Sequence, residues 1–230
     1  MSTYLQILSF SIIIPFIFSF HKKINFYKRW PEFIKANILT SIPFLIWDEI
    51  FTAYRIWGFN KEHLEGFYLL NLPIEEVLFF IIIPYCCVFT YEVFNKFSLA
   101  SPRWNNLTHY LSLILGLTII IIGILSYSKL YTSITGISLG ILLLIAFFKK
   151  LEFMQSFYIT YILITASFFI IVNGLLTGST LETPPVWYNN NENLSIRIWT
   201  IPIEDFFYSM LLLLSNIWLF EIFKTRNIKL

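Results

Sequence analysis

The sequence predicts an all-α fold, a polytopic membrane helix bundle of about seven transmembrane helices, in which two parallel three-helix repeats are joined by a connector helix. The membrane assignment follows from composition. Of the 230 residues, 57% are hydrophobic and only 13% are charged, whereas an ordinary soluble domain is about 25% charged. A soluble core of this size cannot enclose so many apolar side chains, so much of the surface must face lipid. The repeats follow from motifs that recur at a fixed offset.

Seven apolar stretches account for the helices of the bundle. A helix that crosses a bilayer needs about 20 mostly apolar residues. The stretches that meet or approach this length are 4–20, 36–56, 73–96, 108–127, 131–148, 154–177 and 201–223. The segments between them read, in order, "HKKINFYKRWPEF", "GFNKEHLEGFYLLN", "NKFSLASPRWNN", a short turn near Ser128, "FKKLEF" and "GSTLETPPVWYNNNENLSIR". We therefore predict a single membrane domain, 1–230, with repeat one at 1–107 and the connector helix and repeat two at 108–230.

The basic residues predict the orientation of the bundle. The chain has 16 Lys and Arg residues, and the predicted spans place most of them on one side of the membrane. That side receives Lys22, Lys23, Lys28, Arg29, Lys35, Lys96, Arg103, Lys149, Lys150, Lys224, Arg226 and Lys229. The opposite side receives Arg55, Lys61, Lys129 and Arg197. Basic residues are retained on the cytoplasmic side, so we expect the amino terminus outside and the carboxyl terminus in the cytoplasm, in the cell (plasma or inner) membrane.

The chain contains an internal repeat. Aligning Glu75 in "PIEE" with Glu204 in "PIED" gives an offset of 204 − 75 = 129 residues. The same offset joins Glu92 in "TYEVF" to Glu221 in "LFEIF", since 221 − 92 = 129. Matches this far apart along so apolar a chain indicate the duplication of a three-span unit.

The parity of the spans determines how the two units are oriented. With one residue of slack, "WGFN" at 57–60 also matches "WYNN" at 187–190. Spans one to three then map onto spans five to seven, a shift of four crossings, so both units point the same way, as in parallel repeats. Both acidic motifs fall at the same depth near the outer face. Facing helices can then present four acids around one central pocket.

Glu75, Glu76, Glu204 and Asp205 are the candidate catalytic residues. Each pair follows a proline suited to the first turn of a helix, where the helix dipole favours negative charge. One interpretation is therefore inert, solvated interfacial acids. That interpretation explains adjacent acids poorly, because neighbours on a helix point about 100° apart and repel when both are ionised. The functional interpretation is that burial keeps one acid protonated as a proton donor, with its neighbour or its repeat counterpart as acceptor.

A third acidic site is predicted in the second span. Asp48, Thr52 and Arg55 are spaced i, i+4 and i+7, so they share one helix face. A charge at the depth of Asp48 costs at least a few kcal/mol unless it is paired. A structural pairing of Asp48 or Glu49 with Arg55 is one alternative. Asn173 is a plausible positional equivalent of Asp48 in the second unit, and a polar residue at that depth in both halves favours a shared site.

Aromatic residues cluster around the acids in the sequence. They are Trp47, Trp57, Phe79, Phe80, Trp187, Trp199, Phe206, Phe207 and Tyr208. Most are expected in the core or in the interfacial belt. Aromatic faces also attract cations, so a dry, ring-lined pocket with a proton donor suits the formation of a carbocation.

Other functional classes are disfavoured by the sequence. The net charge of +2 and the lack of basic runs with stacking aromatics argue against nucleic-acid binding. No G-x-G-x-x-G motif follows a strand, and His21, His63 and His109 are scattered, so no cofactor and no metal site is predicted. A proton-coupled membrane transporter is the main alternative, because duplicated units with intramembrane acids occur there too. A non-catalytic assembly subunit is a weaker one.

Several segments together resemble a known family. "PFLIWDEIFTAYRIWGF", "LPIEEVLFF", "IVNGLLT", "WYNNNENLSIRIWTIPIEDFFY" and "LFEIF" are similar to segments of the small integral-membrane carotenoid (lycopene) cyclases. In that family the two halves occur as separate subunits, as one tandem chain, or fused to phytoene synthase. The resemblance covers nearly the whole chain, which is expected to be the tandem single-polypeptide form.

The resemblance implies an acid-catalysed, redox-neutral cyclisation of the linear ends of lycopene to β-ionone rings. By motif position, Glu75, Glu76, Glu204 and Asp205 supply the acid and base. The substrate-binding residues are expected to be Asp48, Asn173, Trp47, Trp57, Phe79, Trp187, Phe206 and Tyr208. The implied partners are lycopene, membrane lipid and other enzymes of carotenoid biosynthesis.

Overall fold

The computed structural model describes residues 1–97 and 105–228, and in this part of the chain it contains seven long helices, as predicted. The helices are α1 Thr3–Ser19, α2 Trp30–Ala53, α3 Ile74–Lys96, α4 Asn105–Leu125, α5 Leu130–Phe148, α6 Met154–Leu176 and α7 Ile203–Ile228. Six short strands accompany them: β1 Trp57–Phe59, β2 Tyr68–Leu69, β3 Leu72–Pro73, β4 Val186–Tyr188, β5 Arg197–Ile198 and β6 Ile201–Pro202. Single 3₁₀ turns lie at Phe26–Arg29 and Lys61–His63. Arg103 and Lys229, which entered the charge comparison, lie outside the described residues.

The helix boundaries differ from the prediction mainly in α2. This helix begins at Trp30, six residues before the predicted start, because Pro31 fits its first turn and the charged residues that follow are compatible with a helix. It ends at Ala53, since Arg55 adopts a left-handed conformation with φ of 57°. Pro73 is the residue that precedes α3, so it closes a strand and leads into the helix.

The composition of the helices fits a membrane environment. Within the described ranges, α3 to α7 are each long and apolar enough to cross a bilayer. The 17-residue helix α1 is apolar but shorter, and α2 carries four charged residues along its length. Large apolar side chains are exposed on the outer helix faces, as at Ile114 and Ile171. The chain is therefore a multi-pass membrane protein, and the predicted fold class is confirmed.

The internal repeat is visible in the backbone as well as in the sequence. The hairpins β2–β3 and β5–β6 are antiparallel and share one register. Leu70 and Trp199 occupy the same turn position, with φ of 58° and 57°. Gly66 and Ser195, with φ of 87° and 60°, precede them in the same way. Each of these pairs is 129 residues apart.

The strands β1 and β4 join the two repeats. They pair antiparallel with Gly58 opposite Trp187, two residues that are themselves 129 apart. Equivalent residues that face each other in an antiparallel ladder mark a local two-fold relation. The one-residue slack assumed in the sequence alignment is therefore unnecessary, and the equivalent of Trp57 is Val186. A Cβ atom on Gly58 would lie 2.6 Å from Cε2 of Trp187, so these positions are complementary in size.

The helices of the two repeats are interleaved. In each repeat the first helix packs on the third, α1 on α3 and α5 on α7. The second helices cross over, so that α2 packs on α7 and α6 packs on α3. At the far end of the bundle, Lys224 Nζ lies 2.7 Å from Glu92 and 3.4 Å from Glu221. These two equivalent glutamates thus share one lysine and tie α3 to α7.

The connector helix α4 packs closely on α5 through glycines. A Cβ atom on Gly140 would lie 2.7 Å from the Gly116 carbonyl oxygen and would overlap the side chain of Ile120. One turn away along the same seam, a Cβ on Gly136 would lie 3.0 Å from the Ile119 oxygen. Small residues at such seams let the backbones of membrane helices approach.

We expect Gly140→Val to destabilise the protein, because the added side chain must separate α4 from α5. Overpacking of this kind costs about 1–3 kcal/mol. The measurement is thermal unfolding of the purified protein in detergent, followed by circular dichroism. Ile141→Val, at the neighbouring and exposed position, is the matched control. Equal midpoints for the two variants would contradict the proposed packing.

Candidate active site

An elongated cavity of about 300 Å³ lies among α1, α3, α6 and α7. Glu76 and Thr90 both line it and are fourteen residues apart on α3, so it extends about 21 Å along that helix at 1.5 Å per residue. Its walls are mostly apolar. The end beside the acids, which we call the outer end after the predicted orientation, is covered by Trp57, Val186 and Tyr188 of the β1–β4 pair. This shape suits a long, slender, apolar molecule.

The structure separates the members of each acidic pair. Glu76 and Asp205 line the cavity, whereas Glu75 and Glu204 lie outside the lining. All four side chains are buried, with at most 8% of their surface exposed. Successive residues on a helix point about 100° apart, and at the start of α3 and α7 this rotation turns Glu75 and Glu204 away from the cavity. The expectation that four acids surround one pocket is therefore wrong.

Glu75 holds the loop that precedes its helix. Its Oε1 accepts a hydrogen bond from the backbone N–H of Glu65 at 2.6 Å and from the hydroxyl of Ser2 at 3.0 Å. These contacts fasten the loop and the start of α1 to the first turn of α3. Glu75 therefore has a structural role and lies beside the cavity without lining it.

Glu204 makes the equivalent contacts in the second repeat. Its Oε1 accepts from the backbone N–H of Leu194 at 2.7 Å and from the hydroxyl of Thr132 at 2.6 Å. Leu194 is 129 residues from Glu65, the donor in the first repeat. The two outer glutamates therefore perform one repeated task, and each fastens a loop and a neighbouring helix.

Asp205 is the most heavily hydrogen-bonded acid of the cavity. Its Oδ1 accepts from the hydroxyl of Tyr131 at 2.6 Å. Its Oδ2 accepts from the amide of Asn173 at 2.6 Å and from the hydroxyl of Tyr188 at 2.8 Å. Burial of its hydroxyl raises the pKa of Tyr188 well above the ordinary value, and the charge of Asp205 adds to this rise. Tyr188 therefore stays protonated and remains a donor.

Glu76 and Asp48 have fewer partners. The hydroxyl of Tyr4 donates a hydrogen bond to Glu76, and the indole N–H of Trp57 donates to Asp48 Oδ1 at 2.5 Å. Asp48 Oδ2 is buried and has no hydrogen-bond partner within the described residues. Asp48 and Glu76 interact electrostatically, as do Glu76 and Asp205. We refer to Asp48, Glu76 and Asp205 as the acid cluster.

The pairing of Asp48 or Glu49 with Arg55 does not occur in the described part of the chain. Arg55 follows the end of α2 and leaves the helix face that carries Asp48. Glu49 instead accepts from the backbone N–H of Asn71 at 3.0 Å. Among the described residues, Trp57 is the hydrogen-bond donor to Asp48 Oδ1, and Asp48 Oδ2 has no partner there.

Aromatic rings surround the acid cluster. The ring centroid of Trp57 lies 5.0 Å from that of Tyr131 and 6.0 Å from that of Tyr208. Tyr208 interacts electrostatically with all three acids, and its buried hydroxyl has no hydrogen-bond partner in the residues that the structure describes. The cluster therefore combines carboxyl groups with the faces and edges of several rings.

Five of the eight predicted substrate-binding residues line the cavity: Asp48, Asn173, Trp57, Phe79 and Tyr208. The other three lie outside the lining. Trp47 packs on the ring of Tyr208 at 5.3 Å, and Phe206 packs on Phe169 at 4.9 Å. Trp187 lies opposite Gly58 in the β1–β4 pair.

Three tyrosines that were not predicted from the sequence contact the cavity acids: Tyr4, Tyr131 and Tyr188. Tyr4 and Tyr131 each lie in the first turn of the first helix of their repeat, at the same predicted depth as the acidic motifs. That shared depth is the signal that could have identified them. Tyr188 lies in the loop whose pairing with β1 was not predictable from the sequence.

Comparisons with known proteins agree with the repeat. A family model described as "Lycopene cyclase" matches residues 1–94 and 128–223. The two matched segments correspond to the two repeats and omit the whole of the connector helix α4. Together they cover more than half of the chain. The chain matches no solved structure.

Curated relatives match over shorter segments. The chain is 33% identical over 76 residues to a bifunctional lycopene cyclase/phytoene synthase of Neurospora crassa, covering 32% of this chain and 13% of that protein. It is 37% identical over 63 residues to the protein of the same description from Aspergillus niger, covering 27% and 10%. For Arthroderma gypseum the match is 37% over 59 residues, covering 26% and 9%. The aligned segments thus span only a small part of these longer relatives.

We expect Glu204→Ala to lower the stability of the protein, because the N–H of Leu194 and the hydroxyl of Thr132 lose their acceptor. An unsatisfied buried donor costs about 1–3 kcal/mol. The measurement is the thermal unfolding midpoint in detergent. Glu182→Ala, at an exposed position of the same loop, is the control. A midpoint for Glu204→Ala as high as that of Glu182→Ala would show that Glu204 does not fasten the loop.

Proposed function

The chain belongs to the lycopene cyclase family, and from this premise we propose that it is a membrane-embedded carotenoid cyclase. Its substrate is the linear carotenoid lycopene, and its product carries β-ionone end rings. The observation that supports the proposal most strongly is the placement of Asp48, Glu76 and Asp205 together in one apolar, ring-lined cavity. Acidic side chains inside a membrane bundle cost free energy, and residues of this kind usually have a function.

The proposed reaction is a redox-neutral isomerisation. A carboxylic acid transfers its proton to the terminal double bond of the substrate and leaves a tertiary carbocation. The π electrons of an internal double bond then attack the cation, which closes a six-membered ring and moves the positive charge to a ring carbon. A carboxylate removes a proton from the adjacent carbon and forms the new ring double bond. One proton enters and one leaves, so no oxidant or reductant is consumed.

The hydrogen bonds support different tasks for the acids. Asp205 accepts three hydrogen bonds, and donors of this kind favour an ionised carboxylate. Glu76 has one tyrosine donor, and Asp48 keeps an oxygen without a partner among the described residues. Two neighbouring ionised acids repel, so Glu76 and Asp48 are best accommodated when they share a proton. We assign Glu76 as the proton donor, with Asp48 in support, and Asp205 as the base.

The rings complete the proposed chemistry. The faces of Trp57, Tyr131 and Tyr208 stabilise positive charge that develops on the substrate. The β1–β4 pair covers the outer end of the cavity and limits the access of water, which would otherwise capture the cation as an alcohol. A protected cation eliminates a proton instead and gives the cyclic alkene.

The proposed function includes the orientation of the chain in the membrane, its domain organisation and its surroundings. We place the amino terminus outside the cell and the carboxyl terminus in the cytoplasm, in the plasma or inner membrane. The single membrane domain consists of repeat one at 1–107 and the connector helix with repeat two at 108–230. Membrane lipid surrounds the bundle and carries the substrate, and the other enzymes of carotenoid biosynthesis are its functional neighbours.

Expression in a bacterium that accumulates lycopene tests the catalytic assignment. We expect the wild-type chain to convert lycopene to cyclic carotenoids. Glu76→Gln and Asp205→Asn should each lower the rate at least about 100-fold, since general acid–base groups commonly contribute that much. Pigment analysis by chromatography measures the products.

The neighbouring acids provide matched controls for these variants. Glu75→Gln and Glu204→Gln replace a carboxyl by an amide one residue away and retain an oxygen that can accept the loop N–H. We expect both to keep most of the activity at equal levels of inserted protein. Loss of activity in Glu75→Gln combined with full activity in Glu76→Gln would overturn the assignment. A well-inserted wild-type chain that leaves lycopene unchanged would overturn the function.

Cysteine labelling tests the orientation. In a background with Cys86→Ala and Cys87→Ala, we expect Thr180→Cys in the α6–α7 loop to react with a membrane-impermeant maleimide on intact cells. Lys149→Cys, between α5 and α6, should react only after permeabilisation, because basic residues stay in the cytoplasm. Both positions are exposed. The reverse pattern would place the acid cluster near the cytoplasmic face.

A further inference from the structure

Two of the described residues that line the cavity are also exposed on the outside of the bundle. Among the described residues that line it, Ile14 and Phe168 are largely exposed, at 58% and 53%. Ile14 lies on α1 and Phe168 on α6. These two side chains therefore belong both to the wall of the cavity and to the outer surface, and we call the part of the wall that they form the lateral opening.

A departure from regular helix geometry lies beside the lateral opening. Residues Thr165–Phe169 of α6 form a π-helical turn, and Thr165, Phe168 and Phe169 all line the cavity. Such turns are rare inside α-helices and frequently occur at functional sites. Closer to the outer end, α1 packs against Ile170–Leu176 of the same helix. The π turn thus directly precedes the part of α6 that packs on α1.

The outer end of the cavity is an unsuitable route for the substrate. Trp57 and Tyr188 pair across it in the β1–β4 ladder, and Trp57 is only 6% exposed. Moving a carotenoid from the membrane into water would also cost free energy, because its apolar surface would become hydrated. A route from the side keeps the apolar chain in an apolar environment throughout.

We propose that one end of the linear carotenoid enters from the bilayer through the lateral opening between Ile14 and Phe168, an inference that rests on the proposed cyclase function. Ile14 lies ten residues from Tyr4, the donor to Glu76, which places the acid cluster about 15 Å from the lateral opening at 1.5 Å per residue. The substrate reaches the acids end-on, and the rest of its polyene chain remains between α1 and α6 or in the lipid. Only one end group can contact the acid cluster at a time.

Narrowing the lateral opening tests this route. We expect Ile14→Trp, reconstituted in liposomes that contain lycopene, to lower kcat/KM about tenfold, because the enlarged side chain obstructs capture of the substrate. Ile13→Trp is the matched control, since Ile13 is 45% exposed on the same helix but does not line the cavity. It should leave kcat/KM within about twofold of the wild-type value.

A compensating substitution across the lateral opening distinguishes obstruction from misfolding. Phe168→Ala combined with Ile14→Trp should restore most of kcat/KM, because removal of one side chain makes room for the other. A damaged fold would not be repaired by a second truncation. The smaller variant Ile14→Phe, expected to show an intermediate loss, keeps the test valid where tryptophan prevents insertion.

The outcomes separate the two proposals. Equal kcat/KM for Ile14→Trp, Ile14→Phe and Ile13→Trp, with normal cyclisation by the wild-type protein, would overturn the lateral route and leave the cyclase function in place. A loss in Ile14→Trp that Phe168→Ala does not restore would also overturn it. A folded wild-type protein that forms no cyclic product would overturn both.

Discussion

The rotation of about 100° between successive residues of a helix is the constraint on which the site depends. At the start of α3 and α7 it directs one carboxylate toward the cavity and its neighbour toward the preceding loop. Glu75 and Glu204 fasten those loops, and the loops in turn carry Trp57 and Tyr188 over the outer end of the cavity. The two adjacent acids thus have complementary roles. One takes part in the proposed chemistry, and the other fastens the loop that covers the cavity and limits the access of water.

A symmetric scaffold here supports an asymmetric site. The hairpins, the acidic turns and the helix contacts repeat at an offset of 129 residues, yet the groups that face the cavity differ. Glu76 has Asp48 as a neighbour, and Asp205 has the amide of Asn173. An amide donates a hydrogen bond to a carboxylate, whereas a second acid competes for its proton. In the proposed mechanism, this difference gives proton donation to repeat one and proton removal to repeat two, although both share the same three-helix pattern.

Much of the fold could be predicted because it depends on properties that a sequence displays directly. Apolar length identified the seven helices, and the spacing of Glu75 and Glu204 identified the repeat. The early start of α2 was missed, since charges near its beginning suggested a loop. The direction in which each acid points depends on how its helix is rotated about its own axis relative to the helices that it packs on. Those helices are distant in the sequence, so neither this direction nor the contact of Tyr4 with Glu76 could be predicted. Likewise, the π turn of α6 has no marker in composition.

The contact between Gly58 and Trp187 limits how the two halves can associate. A bulky ring on one half fills a space that exists only because the other half has no side chain there. Two copies of the first half would meet glycine to glycine and leave a hole, and two copies of the second would collide ring to ring. If the halves were separate polypeptides, each would therefore pair best with the unlike half. The Gly58–Trp187 contact thus favours a heterodimer of the two halves over either homodimer.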